Sequence, residues 1–232
     1  MHEPNPIDIA AKASGEPVFR EVGVGPWSQT HPGEPRPDDP QSPNFDTRLD
    51  SALLDEGDRR NVLDRYRYWS VEAIKDDLDQ RGRHGFEVAV ENWTHDFNIG
   101  SMVRTANAFS ARAVHIVGPH KWNRKGSLMT ELYQHVFNHP SISELVSTWR
   151  QSHPQGRVIA LDIVDGAQPI ERYEFPETCL MLFGAEGPGL SQKALELADD
   201  VVYISQFGSV RSINAGAAAA VAMHCWIAQH AA

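Results

Sequence analysis

Residues 203–226 read YISQFGSVRSINAGAAAAVAMHCW. The stretch opens on the end of an apolar run (Val201, Val202, Tyr203, Ile204) and crosses a polar turn holding Arg211, Ser212 and Asn214. It then enters an alanine-rich segment. The short apolar run predicts a buried strand, and the alanines predict a helix over about 213–229. Strand, turn and helix in succession form one unit of an α/β sheet. Small residues from Ala215 to Ala222 imply close packing around the helix. The polar turn implies that something is held at its mouth.

Working outward, the alternation repeats. Val88, Ala89 and Val90 predict a strand, 98–109 a helix and 113–117 a second strand. Residues 141–149 predict a helix, with Ser141 as N-cap and Glu144 completing a capping box. Further strands are predicted at 158–163 and 179–183, with a helix at 191–197 between the latter and the strand at 201–204. Strands alternating with helices give an α/β fold with a mainly parallel sheet and helices on both faces. Ligands of such sheets sit at the carboxyl ends of the strands, so the loops after Phe183 and Ile204 are the first places to look.

The first 46 residues have another character. Residues 31–44, HPGEPRPDDPQSPN, hold five prolines in fourteen positions, and the region reads as a flexible arm. Residues 47–84 read as a helical appendage, from the spacing of Leu49 with Leu53 and of Val62 with Tyr66. Its arginines, Arg59, Arg60, Arg65, Arg67, Arg81 and Arg83, suit either a solvated face or an RNA-facing one. The third region, 85–232, is the α/β domain.

The net charge of −10 argues against a simple basic nucleic-acid coat. The acidity is partly local, because residues 1–60 carry 12 acidic and 6 basic side chains. Two cysteines, Cys179 and Cys225, lie in apolar segments and read as buried thiols of a reducing compartment. No apolar run is long enough for a secretory signal or a membrane span, so a soluble cytoplasmic protein is expected. His135 and His139, four residues apart, read as helix-surface histidines rather than metal ligands, and no metal is expected.

The loop after the fourth predicted strand is Gly184-Ala-Glu186-Gly187-Pro-Gly189-Leu190. Its glycine order, G-x-x-G-x-G, is neither the dinucleotide fingerprint nor a phosphate loop. That argues against a nucleotide-cofactor oxidoreductase. Three segments occur in sequence: Asn98-x-Gly100-x-x-x-Arg104-Thr-Ala106, LFGAEGPGL at 182–190, and ISQFGSVRSIN at 204–214. Together they resemble the three motifs of the SpoU (TrmH) family of RNA ribose 2′-O-methyltransferases, in the SPOUT superfamily. The resemblance covers roughly 86–230, and its second and third motifs look closest to the tRNA guanosine branch. Three departures stand out. Ser205 replaces a frequent Pro, Ile213 replaces Leu, and Ala215-Gly216-Ala217 replaces Val-Ser-Val.

The resemblance implies a C-terminal trefoil knot, bound S-adenosyl-L-methionine, a homodimer formed through the knot region, and an RNA substrate, tRNA first and rRNA second. It places Phe183, Gly184, Gly187, Ile204, Gln206 and Ile213 against the cofactor. It makes Arg104, Asn98, Glu186, Ser212 and Asn214 the catalytic set. Simpler roles stand beside these: core packing for Ile204 and Ile213, capping for Asn98, Ser212 and Asn214, and a surface turn for Glu186. The family account makes Arg104 a base. A guanidinium stays protonated at neutral pH, so a bidentate phosphate clamp that stabilises the developing alkoxide is preferred. The basic loop His120, Lys121, Trp122, Arg124 and Lys125 combines cations with an aromatic ring, which suits RNA backbone and a stacked base. The alternative reading is a non-catalytic RNA-binding relative of the same fold.

Overall fold

A computed structural model describes residues 5–16, 22–93 and 98–231. The chain divides into two compact units, Met1–Ser70 and Val71–Ala232.

Among its described residues, the first unit holds the α-helices α1 (Pro6–Ala13), α2 (Trp27–Thr30) and α3 (Ser51–Glu56). Polar contacts, rather than a large apolar core, tie much of it together. The Asp58 carboxylate, fully buried, accepts from the backbone N–H and guanidinium of Arg60 and from the backbone N–H of Tyr68. Isolated bridges join Val24 to Asp58 and Leu49 to Trp69. These links draw the unit through to Ser70. The unit spans the composition-based division at 46 and ends before the one at 84. Several of the arginines are used internally: Arg60 on Asp58, Arg67 on the Arg60 carbonyl, Arg81 on Asp77.

The second unit begins with α4 (Val71–Arg81) and continues as β1 (Phe86–Glu91), α5 (Ile99–Ala108), β2 (Val114–Val117), β3 (Val136–His139), α6 (Ile142–Ser152), β4 (Arg157–Leu161), β5 (Gln168–Pro169), β6 (Cys179–Phe183), α7 (Gln192–Leu197), β7 (Asp200–Tyr203) and α8 (Ala215–His230). Among the described residues, seven strands form one parallel sheet in the order β3-β2-β1-β6-β4-β7-β5. Period-two alternation sends side chains to opposite faces. Phe86, Val88, Val90, Cys179, Met181 and Phe183 join α5 and α8 in one core. Ala89, Leu180, Leu182, Val158 and Ala160 join α6 and α7 in the other. Burying one such large side chain contributes about 1.5–3 kcal/mol. Two buried faces explain why these strands read as continuous apolar runs.

Two strands have no counterpart in the sequence reading. β3 is an edge strand with exposed Phe137 and Asn138, and β5 is two residues long and contains Pro169. Both lack a buried apolar run. His139 consequently lies on β3 and not on a helix, while His135 precedes that strand. His139 Nε2 meets His115 Nδ1 at 2.9 Å, and His135 Nε2 meets Asp79 at 3.0 Å. Ser141 caps α6 as expected, accepting from the Glu144 N–H.

Candidate active site at the carboxyl edge of the sheet

Strand order reverses between β1 and β4, and the loops leaving β4, β6 and β7 converge beside that point. They enclose a cavity of about 790 Å³, where the rule for parallel sheets places a ligand. Leu161 to Ile163 form one wall, Phe183 to Gly189 a second, and residues from Val202 to Ala218 the remainder. Phe183, Gly184, Gly187, Ile204, Gln206 and Ile213 all line it, as do Glu186, Ser212 and Asn214.

The 184–190 loop folds tightly onto itself. A Cβ on Gly184 would lie 2.0 Å from the Gly189 carbonyl carbon, and Gly187 and Gly189 have φ of +99° and +73°. Only glycine meets such conditions without strain. The turn after β7 is exposed, with Phe207 98% accessible. Ser205 anchors its start: its N–H and hydroxyl donate to the Glu171 carboxylate at 3.1 and 3.0 Å. A proline there would lack both donors.

Three segments far apart in sequence meet through side chains. Asn214 Nδ2 donates to Asn98 Oδ1 at 2.8 Å, and Asn98 Nδ2 donates to Glu186 Oε2 at 2.5 Å. Asn214 Oδ1 also accepts from the Ala217 N–H and so caps α8. Capping and site-building are one act for this residue. Asn98 precedes α5 without capping it, because its amide spans the other two. Gly216 permits the approach, since a Cβ there would sit 2.5 Å from Ser101 Oγ on α5.

Arg104, on α5, lies six residues beyond Asn98, about 1.7 turns. It is exposed and absent from the cavity lining, and its side chain makes no hydrogen bond or ion pair with other described residues. The basic loop packs against the start of α5: a Cβ on Gly100 would meet the Asn123 carbonyl oxygen and the Gly126 Cα at 2.9 Å. Lys121, Arg124 and Lys125 are exposed there. Trp122 is only partly exposed and packs on the core, with the Arg124 guanidinium 5.8 Å from its ring centroid. His120 is half-buried, its carbonyl accepting from Asn92 Nδ2.

Sequence reasoning missed two carboxylates. Asp162 follows β4 and accepts from the Ile163 and Leu190 N–H groups at 2.7 and 2.9 Å. Glu91, 2% exposed at the end of β1, accepts from the Ser191 N–H and hydroxyl at 2.7 and 2.8 Å. A strand ending in an acid was the available signal, but many strands do.

The SpoU rRNA Methylase family model matches residues 85–224. The tRNA (guanosine(18)-2'-O)-methyltransferase of Thermus thermophilus is 29% identical over 157 residues, covering 61% of this chain and 74% of that protein. The Escherichia coli K12 protein of the same name is 26% identical over 140 residues, 59% of this chain and 60% of its own length. Among solved structures, the SpoU methyltransferase AviRb from Streptomyces viridochromogenes, in complex with the cofactor AdoMet, is 25% identical with a TM-score of 0.55. That match covers 63% of this chain and 58% of AviRb. With the parallel sheet, the glycine loop and the Asn214–Asn98–Glu186 linkage all inside the matched segment, the chain belongs to the SpoU methylase family.

Proposed function

We propose that this protein is an S-adenosyl-L-methionine-dependent RNA methyltransferase acting on a ribose 2′-hydroxyl, of guanosine in tRNA first and of rRNA second. The observation that carries the reading is the hydrogen-bonded line Asn214–Asn98–Glu186 beside the cavity. It joins all three motifs at the sheet edge. The matched relatives from E. coli and T. thermophilus, named as tRNA guanosine methyltransferases, support the substrate class.

The cavity suits the cofactor. Its glycine wall offers backbone groups to a flat ring, and Ile204 and Ile213 supply apolar surface. Gln206 Oε1 is buried without a hydrogen-bond partner among the described residues, an acceptor suited to a ligand amino group. S-adenosylmethionine, when bound, supplies an electrophilic methyl on a sulfonium. Phe183, Gly184, Gly187, Gln206, Ile204 and Ile213 would hold it. Ser212 and Asn214 face the same space and orient the incoming ribose, while Glu186 is held in place by Asn98. Arg104 clamps a substrate phosphate and stabilises the developing alkoxide. Lys121, Arg124, Lys125 and His120 track the RNA backbone, and Trp122, packed on the core, offers a restricted stacking edge.

Two assembly features belong to the same proposal. The C-terminal segment threads as a knot, which accounts for the small buried residues Gly216, Ala219 and Ala222 on α8, and two copies pair through that region. Among the described residues no helix is long and apolar enough to cross a membrane, and the two free cysteines suit a cytoplasmic setting.

The test is transfer of labelled methyl to total tRNA and to rRNA, with mapping of ribose methylation in cells with and without the gene. Loss of one tRNA guanosine site supports the reading. Cofactor binding without any transfer would instead indicate a non-catalytic RNA-binding relative. Arg104→Lys should cut kcat/KM at least about tenfold, because a bidentate clamp is lost. Cofactor affinity should not change, since Arg104 does not line the cavity.

A further inference from the structure

β1 and β4 are the two neighbours of β6 in the sheet, and each ends in a carboxylate that reaches over to the loop leaving β6. Glu91 grips Ser191, downstream of the turn, through two bonds of 2.7 and 2.8 Å. Asp162 grips the turn itself. Its Oδ2 accepts from the Leu190 N–H at 2.9 Å and its Oδ1 from its neighbour Ile163 at 2.7 Å. Gly189 lies against the same carboxylate, where a Cβ would come within 2.9 Å of Oδ2. The two grips also differ in place: Asp162 lines the cavity and Glu91 does not.

We infer that Asp162 is a positioning residue of the cofactor site, holding the 184–190 turn in its ligand-binding shape through the Leu190 amide. The inference rests on the proposed S-adenosylmethionine site. A turn with two positive-φ glycines has many alternative conformations once released. A charged acceptor on a backbone N–H is among the stronger single constraints available. An amide is a poor substitute, because each carboxylate oxygen already accepts a backbone N–H. Asn would satisfy one of these and set its own NH₂ against the other.

The experiment is calorimetric titration of wild-type, Asp162→Asn and Glu91→Gln protein with S-adenosylmethionine and with S-adenosylhomocysteine, with melting curves of the ligand-free forms. Asp162→Asn is expected to raise both dissociation constants by about tenfold or more, and by the same factor, because the turn and not the sulfonium charge is affected. Glu91→Gln is expected to lower the melting temperature yet leave both constants within about threefold, since a lost hydrogen bond outside the cavity costs stability, not ligand contacts. Unchanged affinity in Asp162→Asn overturns the inference. So does a loss confined to the charged ligand, or an equal loss in Glu91→Gln. A wild-type protein that binds neither ligand overturns the cofactor reading itself, and this inference with it. Should Asp162→Asn not fold, hydrogen exchange at the Leu190 amide decides. Added S-adenosylhomocysteine should slow it in wild-type protein, and an unchanged rate overturns the inference.

Discussion

Replacing Gly216 by Ala tests how α8 is seated. In an ordinary helix the change stabilises by up to about 1 kcal/mol. Here the new methyl would lie 2.5 Å from Ser101 Oγ and 3.2 Å from Asn214 Oδ1. Ser101 cannot simply turn away, because its hydroxyl donates to the Asn98 carbonyl at 2.7 Å. Overpacking of this kind costs about 1–3 kcal/mol, so the net expectation is a loss of up to about 2 kcal/mol. Ser101→Ala alone removes one side chain to backbone hydrogen bond, worth about 1 kcal/mol. In the double variant the clash with Ser101 Oγ is gone, only the milder 3.2 Å approach to Asn214 Oδ1 is left, and the helix gain remains. The two changes should therefore couple by about 1–3 kcal/mol. Trp226, 2% exposed on the same helix, is a built-in fluorescence probe for guanidinium unfolding of all four proteins at one concentration. Ligand affinity should follow the same cycle, because α8 carries Asn214 to Asn98. Additivity within about 0.5 kcal/mol would show that α8 and α5 do not touch in the way described.

Ala218→Leu places a larger side chain in the cavity wall; calorimetry should show cofactor affinity lost and sedimentation a weakened dimer, and a stable dimer with normal affinity would refute the placement of α8. A third expectation concerns pH. Burial, then the charge of His115, lowers the His139 pKa below its ordinary 6.5. The unfolded chain therefore takes up a proton near pH 6.5 that the folded chain resists, and stability falls as pH drops below that value. Burial pushes the Glu87 carboxyl up, but the hydrogen bond to His115 and the charges of His115 and His153 together outweigh this and hold it below its ordinary 4.5, so its contribution is lost only in more acid solution. His139→Gln should flatten the slope of melting temperature between pH 7 and 5; an unchanged slope would place the titration elsewhere.

Which parts of this molecule were legible in one dimension follows from how each is stabilised. Central strands buried on both faces leave unbroken apolar runs, so β1, β2, β4, β6 and β7 could be placed to within a few residues. Edge strands have one neighbour and little burial, so β3 and β5 left no such trace, and His139 was set on a helix it does not occupy. The Pro-rich start of the chain gave a composition but not the buried Asp58 that ties much of its unit together.

The candidate site divides along the same line. Residue types and their order along the chain determined the α/β class, the glycine turn, the family and residues that line the cavity, because these depend on local patterns or on motifs carried whole. Only the tertiary structure decided that Asn98 spans Glu186 and Asn214, partners 88 and 116 residues away. The same holds for Ser205 on Glu171, for Gly216 against Ser101, for Asp162 on the Leu190 amide of the turn, and for Glu91 on Ser191 just after it. A hydrogen bond depends on a few tenths of an ångström and on direction. Between residues so far apart, those are fixed by the packing of the sheet and its helices, which a linear sequence does not display.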